Sequence, residues 1–428
     1  MPKHSGRNIR KIAVALTLIL TILTASLPAS LATSSLDSVQ VMSAPLTSRS
    51  SATNGMVRVY LSSLGNPSTL NLTISGNYSV NGNASQSIAN GSSVAVGFSS
   101  STGAITLTRN GVKTNMGTYF ALRRHSASGA NGVKIAQARE SNNLYPGDIS
   151  FRSVQSGSGY KLYTVAHIYI ENYLYGVLPY EMGNSTNIEA LKAQAVAART
   201  FARRQMAGGK HADADVCSQS ACCQACLSAD ALQERYGAAF DAAWDKASNA
   251  VQQTQDEVLT YGGALIDAVY FSCSGGSTEA AAAVWGTDVP YLQAVDSPGE
   301  QDAAPYASTV TCSPAEFAET LGLAADGDPA GWLGGTSYTA GGGMDTCTIR
   351  GQAYAGTRLR QLFGLNSTRF SLRYADGVFR FDVRGYGHRV GMSQYGANAI
   401  ARLGFGYQTI LRYYYRGAKI ETQKGSLV

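Results

Sequence analysis

The sequence predicts a mixed α+β fold with largely antiparallel strands, several helices and Gly-rich loops, preceded by a small β-rich region. Short β-prone segments separated by Asn-Gly turns begin near residue 57, and helical spacing of apolar residues begins near residue 188. Gly (46) and Tyr (24) are frequent, and only 14% of the residues are charged. Such a composition is typical of a loop-rich enzyme rather than of a helical bundle.

Residues 1–32 have the layout of a signal peptide. An apolar run over 12–27 ends near small residues at Ser30 and Ala32, and it follows the basic residues Lys3, Arg7, Arg10 and Lys11. The alternative is an uncleaved N-terminal anchor, although the run is short for a span of about 20 residues. Both interpretations, the cleaved signal peptide and the uncleaved anchor, predict that the rest of the chain lies outside the cytoplasm. Cleavage would lower the net charge from +6 to +2, so nothing indicates nucleic-acid binding.

Three further regions follow the leader. Residues 33–55 are rich in Ser, Thr and Ala and are predicted to be a linker. Residues 56–148 form a β-rich region without evident chemistry, and residues 149–428 form the second, larger domain. The predicted strands are Val57–Leu61, Leu70–Ile74, Val94–Phe98, Ile105–Thr108, Lys161–Ile170, Phe370–Tyr374 and Val378–Val383.

The first predicted helix begins at a Thr186-x-x-Glu189 capping box and ends at Gly208-Gly209. It carries a basic stripe that includes Lys192 and Arg199. The other predicted elements are a helix over Ala231–Gln252, a surface loop over Ala324–Asp345, a helix ending near Gly404 and a helix over about Tyr407–Tyr415.

Glu181 is the first candidate for chemistry. It follows Leu178-Pro179-Tyr180, and apolar surroundings raise the pKa of a carboxyl group. A raised pKa lets such a group hold a proton for donation near neutral pH. From local sequence alone, an ordinary loop glutamate is the alternative interpretation.

A cysteine cluster is the second candidate. Thiolate and imidazole groups at short loop spacings suit tetrahedral zinc, and Asp213 and Asp215 lie nearby. Disulfides are the alternative, but adjacent cysteines rarely bridge to each other. With seven cysteines, at least one thiol stays outside any intramolecular bridge. The residues concerned are His211, Cys217, Cys222 and Cys223, with Cys226 as a spare ligand.

Two Gly-rich runs form the third candidate. Glycine lets the backbone approach a ligand closely or turn sharply, so each run either lines a cleft or is a tight corner. The candidate ligand contacts are His388, Gln394 and Tyr395 in the run 385–396, and Ser274, Gly275 and Gly276 in the run 272–277. A Ser-His hydrolase is disfavoured because the chain has no G-x-S-x-G elbow.

Together these stretches resemble the stage II sporulation protein D family and its relatives, the amidase-enhancer proteins. Several matching stretches in family order are strong evidence where one alone is weak, and they cover roughly residues 150–420. They are Ile170 to Met182, Leu191 to Phe201, Phe271 to Glu279, Val284 to Gly286, Tyr291-Leu292, Ser297-Pro298 and His388 to Gly396.

The resemblance implies a lytic transglycosylase acting on peptidoglycan glycan strands, which in sporulating members are already stripped of stem peptides. The family's catalytic acid falls on Glu181. Its zinc pattern falls on His211, Cys217, Cys222 and Cys223, with Cys222 standing where some members have His. The family often has Gly at the position of Arg389, which we expect to narrow the groove or contact an anion on the glycan.

Hydrolytic glycosidases usually need two carboxylates, whereas a lytic transglycosylase works with one. We therefore expect Glu181 to act as acid and then as base. Ser274, Gln394 and Tyr395 are the expected contacts to sugar hydroxyls, and Lys192 and Arg199 either anchor Glu181 or form a solvated face.

Two alternatives stay open. Some relatives stimulate a cell-wall amidase as binding modules, which would make an amidase the partner. A zinc hydrolase is the third interpretation. The expected location is extracytoplasmic, either secreted to the cell wall or anchored at the outer face of the membrane through the N-terminal segment.

Overall fold

The computed structural model describes residues 55–126, 131–138, 144–208, 211 and 213–424. The predicted signal peptide and nearly all of the predicted linker lie outside these residues. Among the described residues, no helix is both long and apolar enough to cross a membrane. The helices are α1 Ile170–Glu181, α2 Ile188–Met206, α3 Ala229–Tyr236, α4 Phe240–Gln253, α5 Ala281–Trp285, α6 Pro314–Leu321, α7 Gly356–Leu362, α8 Gln394–Arg402 and α9 Tyr407–Tyr414.

The N-terminal half consists mainly of strands in two large sheets. Alternation of apolar and polar residues positions them: in β2, Leu70, Leu72 and Ile74 are buried between exposed neighbours. The strands are β1 Met56–Tyr60, β2 Thr69–Ser75, β3 Tyr78–Val80, β4 Ser87–Ile88, β5 Ser93–Phe98, β6 Ile105–Arg109, β7 Val112–Gly117, β8 Tyr119–Arg124, β9 Gly132–Ile135, β10 Leu144–Pro146, β11 Asp148–Ser156, β12 Gly159–Tyr169 and β13 Val216–Cys217. One sheet has the order β13-β1-β12-β11-β8-β3-β4, and the other β10-β9-β2-β5-β6-β7.

The C-terminal half contains smaller sheets. Its strands are β14 Glu257–Tyr261, β15 Ala264–Leu265, β16 Tyr270–Phe271, β17 Ala307–Cys312, β18 Leu333–Tyr338, β19 Met344–Ile349, β20 Gln352–Ala355, β21 Phe370–Ala375, β22 Val378–Arg384, β23 Met392–Ser393 and β24 Lys419–Thr422. They pair as β15-β14-β24, β16-β23, β17-β22-β21 and β18-β19-β20. Stacked aromatic rings, with the Phe317 and Phe379 centroids 3.8 Å apart, centre a second hydrophobic core beside the main one.

The mixed α+β class with antiparallel strands is confirmed, and so are the seven predicted strands within a residue or two at their ends. The predicted boundary after residue 148 falls inside β11. Because β11 pairs with β8 on one side and β12 on the other, the seven-stranded sheet continues across that boundary. The structure therefore does not separate residues 56–148 from the rest at this point.

Helix α1 is absent from the predicted elements. Its buried positions Ile170, Tyr173, Leu174, Val177 and Leu178 follow helical spacing, but the segment is rich in Tyr and contains a proline. These features obscure the helical period, so the sequence predicts a strand up to Ile170 and no helix before Thr186.

The predicted cap of the next helix is also wrong. Asn187 caps α2, and its side-chain oxygen accepts from the N–H of Glu189 at 2.9 Å. The Glu189 carboxylate instead binds Lys192 and the N–H of Tyr407. Asn187 thus provides the side-chain oxygen that the sequence analysis assigned to Thr186.

The predictions for the helix over 231–252 and the loop over 324–345 need correction, whereas those for the two C-terminal helices do not. The single helix over 231–252 is two helices, α3 and α4, because Gly237 interrupts it at φ +53°. The predicted loop over 324–345 contains β18. The two C-terminal helices occur where predicted, as α8 and α9.

A buried ion pair joins the helices that carry the site. Arg199 of α2 is fully buried, and its Nε and Nη2 donate to the two carboxylate oxygens of Glu171 in α1 at 2.8 and 2.6 Å. The same guanidinium donates to the carbonyls of Val251 and Glu257, so it connects α1, α2, α4 and β14. The basic stripe is therefore neither an anchor for Glu181 nor one solvated face: Arg199 binds Glu171, and Lys192 binds Glu189.

We predict that Arg199→Met lowers the free energy of unfolding by about 3–5 kcal/mol, because it leaves the Glu171 carboxylate buried without its cation. Lys192→Met is the matched control, since its pair with Glu189 is partly exposed and should contribute less than about 1 kcal/mol. Urea denaturation of both proteins measures the difference. Equal, small losses would contradict this account of the helix junction.

Candidate active site

Glu181 is the last residue of α1 rather than part of a loop. Pro179 lies within the final turn, where its ring prevents the usual helical hydrogen bond. Its carbonyl accepts a hydrogen bond from the hydroxyl of Tyr236, and the N–H of Met182 closes the helix on Leu178. The carboxyl group of Glu181 is thus held by a fixed helix end.

Two donors from paired strands meet the Glu181 side chain. Gln394 Nε2 donates to Glu181 Oε2 at 3.1 Å, and the hydroxyl of Tyr270, as a hydrogen-bond donor, lowers the pKa of the same carboxyl group. Tyr270 begins β16, and Gln394 directly follows β23, which pairs with β16 in parallel. One short ladder therefore brings residues from distant parts of the chain to Glu181.

The environment of Glu181 favours its protonated form. Burial raises the pKa of its carboxyl group, and the hydrogen bonds from Gln394 and Tyr270 only partly oppose that rise. The carboxyl end of a helix carries partial negative charge, which disfavours a carboxylate there and therefore also raises the pKa. A half-buried glutamate with neutral partners is thus suited to hold a proton.

A second layer of residues lies behind Tyr270. Gln224 Nε2 donates to the Tyr270 hydroxyl at 3.0 Å, and the Tyr173 hydroxyl donates to Gln224 Oε1 at 3.0 Å. Tyr270, Gln224 and Tyr173 are not among the functional residues predicted from the sequence. Their only signal there is position: Tyr270 precedes the motif at 271–279, Gln224 follows Cys223, and Tyr173 lies within the 170–182 stretch.

The run 274–276 does not form a ligand cradle in this structure. The fully buried Ser274 hydroxyl donates to Glu300 Oε1 at 2.9 Å, and the N–H groups of Ser274 and Gly275 donate to Glu300 Oε2. Gly276 donates its N–H to the Ser274 hydroxyl. These residues wrap an internal carboxylate, so they do not support the predicted contacts to sugar hydroxyls.

His388 supports the site from behind. Its Nδ1 accepts from the N–H of Val390 at 3.1 Å, and its ring contacts those of Phe271 and Trp285. Burial, with the charge of Arg360, lowers the pKa of His388 to about 4, so the ring is neutral. The same imidazole bonds the backbone of Tyr270, which makes it a support for β16 rather than a ligand contact.

Tyr395 and Arg389 have opposite placements. The Tyr395 side chain is 40% exposed, while its N–H is fixed on the carbonyl of Ser272. Its ring therefore remains available to a ligand. Arg389 is fully buried against Glu279, at 3.1 Å, so the expectation that it narrows the groove or meets an anion on the glycan is wrong.

The four predicted metal ligands converge. The ligand atoms of His211, Cys217, Cys222 and Cys223 all lie within 4.8 Å of one another. His211 Nε2 is 3.4 Å from Cys223 Sγ and 3.7 Å from Cys222 Sγ, and the two sulfurs are 3.9 Å apart. Tetrahedral zinc with bonds of about 2.0–2.3 Å separates its ligands by about 3.5–3.8 Å, so this donor set fits zinc. A disulfide requires its two sulfurs to lie about 2.05 Å apart, so Cys222 and Cys223 are not bridged to each other.

Neighbouring residues position the cluster without joining it. The Asp215 carboxylate binds the side chain and N–H of Arg58 in β1, and Asp213 binds Arg152. Cys217 is itself paired with β1 through β13. Cys226 Sγ points to the carbonyl of Tyr173 instead, and burial raises its pKa to about 12, so the spare ligand is not needed.

Comparison with known proteins gives a consistent assignment. The family described as SpoIID, stage II sporulation protein, matches residues 158–261, a stretch that includes Glu181 and the cysteine cluster. Stage II sporulation protein D of Bacillus subtilis (strain 168) is 38% identical over 261 residues, which are 60% of this chain and 76% of that protein. The protein of the same name from Bacillus amyloliquefaciens is 36% identical over 262 residues, with the same coverage.

A more distant relative carries a different name. The amidase enhancer of Bacillus subtilis (strain 168) is 29% identical over 303 residues, which are 58% of this chain and 40% of that protein. The similarity to the two sporulation proteins is higher and spans three quarters of their length. The chain therefore belongs to the stage II sporulation protein D family.

Proposed function

We propose that this protein is a peptidoglycan lytic transglycosylase that cleaves the bond between N-acetylmuramic acid and N-acetylglucosamine without consuming water. The observation that carries the proposal is the Glu181 carboxyl group, whose pKa is raised by burial and whose partners are neutral. Gln394 and Tyr270, the groups that lower this pKa as hydrogen-bond donors, are both neutral, so the carboxyl group can bind and release a proton.

In the first step, Glu181 acts as an acid. It transfers its proton to the bridging oxygen while the bond from that oxygen to C1 of the muramoyl unit breaks. The carboxylate left behind accepts hydrogen bonds from Gln394 and Tyr270, which stabilise its new charge. The two donors therefore matter most after proton transfer.

In the second step, Glu181 acts as a base. It takes the proton of the muramoyl C6 hydroxyl, whose oxygen bonds to C1 and gives the 1,6-anhydro end. Glu181 regains its proton and is ready for another turnover. One residue thus completes the cycle as acid and then as base.

The proposal also includes a residue that packs against the sugar, a biological role and a location. Tyr395 is the best-placed residue to pack against a sugar ring, since its ring is exposed one residue beyond Gln394. A role in sporulation is supported by the names of the two relatives called stage II sporulation protein D, and cell-wall remodelling follows from the proposed substrate. The signal-peptide layout of the leader supports an activity outside the cytoplasm, with peptidoglycan strands as the proposed partner.

The cysteine cluster is proposed to hold a structural zinc ion. His211, Cys217, Cys222 and Cys223 would bind it, and four protein ligands leave no open position for a water molecule. When bound, the ion would cross-link β13 to the segment 222–223. This closed donor set disfavours a zinc hydrolase.

A second candidate function is stimulation of a cell-wall amidase by a non-catalytic, glycan-binding protein. The similarity to a relative named amidase enhancer favours it. The two candidates differ in whether Glu181 is needed, because stimulation by binding alone requires no proton donor.

We predict that Glu181→Gln lowers release of 1,6-anhydro ends by at least about 100-fold, because the amide cannot donate or accept the proton as a carboxyl group does. Mass spectrometry of intact and denuded glycan strands after incubation measures the product. The substitution is nearly isosteric, so the melting temperature should change little. If neither protein releases anhydro ends, and both stimulate an amidase equally, the enhancer function is correct instead.

We predict that Gln394→Leu shifts the alkaline limb of kcat/KM to higher pH. The acid step requires protonated Glu181, so activity falls as pH rises through the pKa of that group. Loss of a hydrogen bond to the carboxylate raises this pKa further. Gln252→Leu, an exposed change at the end of α4, is the control and should leave the limb in place. A shift to lower pH would contradict the proposed role of the amide.

We predict one zinc ion per chain, lost in Cys217→Ser and retained in Cys226→Ser. The two changes are chemically identical and lie nine residues apart in sequence, but only Cys217 belongs to the cluster. Plasma mass spectrometry gives the stoichiometry, and thermal unfolding should show a lower midpoint for Cys217→Ser alone. Equal zinc content in the two variants would argue against the assigned ligand set.

A further inference from the structure

Gln224 connects two parts of the molecule that sequence analysis treated separately. It directly follows Cys223 of the predicted zinc cluster, and its side chain is 1% exposed. Its amide makes three hydrogen bonds, with the hydroxyls of Tyr173 and Tyr270 and with the carbonyl of Ala198 in α2. All donor and acceptor groups of this side chain are therefore directed by partners from three elements.

These partners fix the orientation of the amide. A backbone carbonyl can only accept, so the atom of Gln224 that faces the Ala198 oxygen at 3.4 Å must be the nitrogen. The same nitrogen lies 3.0 Å from the Tyr270 hydroxyl oxygen. The carbonyl oxygen of the amide consequently faces Tyr173, whose hydroxyl donates to it.

A direction for the Tyr270 proton follows. A phenol has one proton, and Tyr270 receives a hydrogen bond from Gln224, so its own proton is free to point to Glu181. A hydroxyl that accepts one bond also becomes a better donor of the next. The chain of donation therefore runs from Tyr173 to Gln224, from Gln224 to Tyr270, and from Tyr270 to Glu181.

The segment 224–227, which carries Gln224, also packs against α1, the helix that carries Glu181. A methyl group at Gly176 of α1 would lie 2.5 Å from the Leu227 carbonyl oxygen and 2.8 Å from Cys226 Sγ. The N–H of Leu227 donates to the Gly176 carbonyl at 3.1 Å. This close backbone contact sets the distance between the amide of Gln224 and the carboxyl end of α1.

We propose that Gln224 is a positioning residue for Glu181, fixed by the segment of the cysteine cluster and acting through the hydroxyl of Tyr270. The inference rests on the function proposed above for Glu181. In physical terms, Gln224 prevents the Tyr270 hydroxyl from rotating away, so the Glu181 carboxylate keeps a directed donor. Among the described residues, Tyr270 and Tyr173 are ionisable groups on which the charge of Glu181 acts, and burial raises the pKa of both, so both stay neutral.

The test is a double-mutant cycle of Gln224→Met and Tyr270→Phe in the full-length, metal-loaded protein. We expect Gln224→Met to lower kcat about tenfold with KM changed less than about twofold, because the lost interaction acts on the transition state. The double variant should be no slower than Tyr270→Phe alone, since Gln224 acts through that hydroxyl. Gln219→Met, an exposed change in the same segment, is the control and should match wild type. Independent, multiplying losses would overturn the inference.

A second measurement separates this inference from the proposed function. Carbon-13 NMR of protein labelled at glutamate carboxyl carbons follows the titration of Glu181, which is assigned by its absence in Glu181→Gln. We expect the pKa of Glu181 to be higher in Gln224→Met than in wild type, and this result does not require any turnover. An unchanged pKa overturns the inference even if anhydro ends are released. If Gln224→Met does not fold, the shorter Gln224→Asn replaces it in both experiments.

Discussion

The site depends on the burial of one carboxyl group, Glu181, whose hydrogen-bonding partners among the described residues are neutral. Three glutamates of this fold make the contrast plain. Glu171 and Glu279 are buried against fully buried arginines, Arg199 and Arg389, which satisfy a negative charge. Glu181 instead meets an amide and a phenol. Neutral donors stabilise a carboxylate less than a guanidinium does, so only this third arrangement permits a proton to come and go.

That arrangement requires a rigid frame, because an unpaired carboxyl group would otherwise turn toward water. The frame joins segments that are far apart in the sequence. Strand β1 pairs with β13 and so fixes Cys217, while the side chain of Arg58 holds Asp215 beside it. The following segment reaches α1 at Gly176 and Tyr270 through Gln224. Residues 56–60, in a region to which the sequence assigned no chemistry, therefore contribute to the position of the acid.

The sequence predicted features set by residues that lie close together in the chain, and it did not by itself predict contacts between distant residues. Strands such as β2 and β5 follow from alternation, and the convergence of four possible metal ligands was predictable because they lie within thirteen positions of each other. Gln394 and Glu181, in contrast, are 213 positions apart, and only the resemblance to a family suggested that both belong to one site. The contact between Ser274 and Glu300 could not be inferred, because a Gly-rich run has the same sequence pattern whether it binds a ligand or an internal carboxylate.

Arg389 shows why a departure from the family pattern need not change the substrate. At φ +66° a side chain costs about 1–2 kcal/mol relative to glycine. The guanidinium offsets this cost through hydrogen bonds to the carbonyls of Ser274, Ser277 and Gly341 and an ion pair with Glu279. Glu279 in turn accepts from Thr339 and from the N–H of Gly343, next to β19 of the second core. Arg389 therefore stabilises the junction between the two cores and does not line a surface that a ligand could reach.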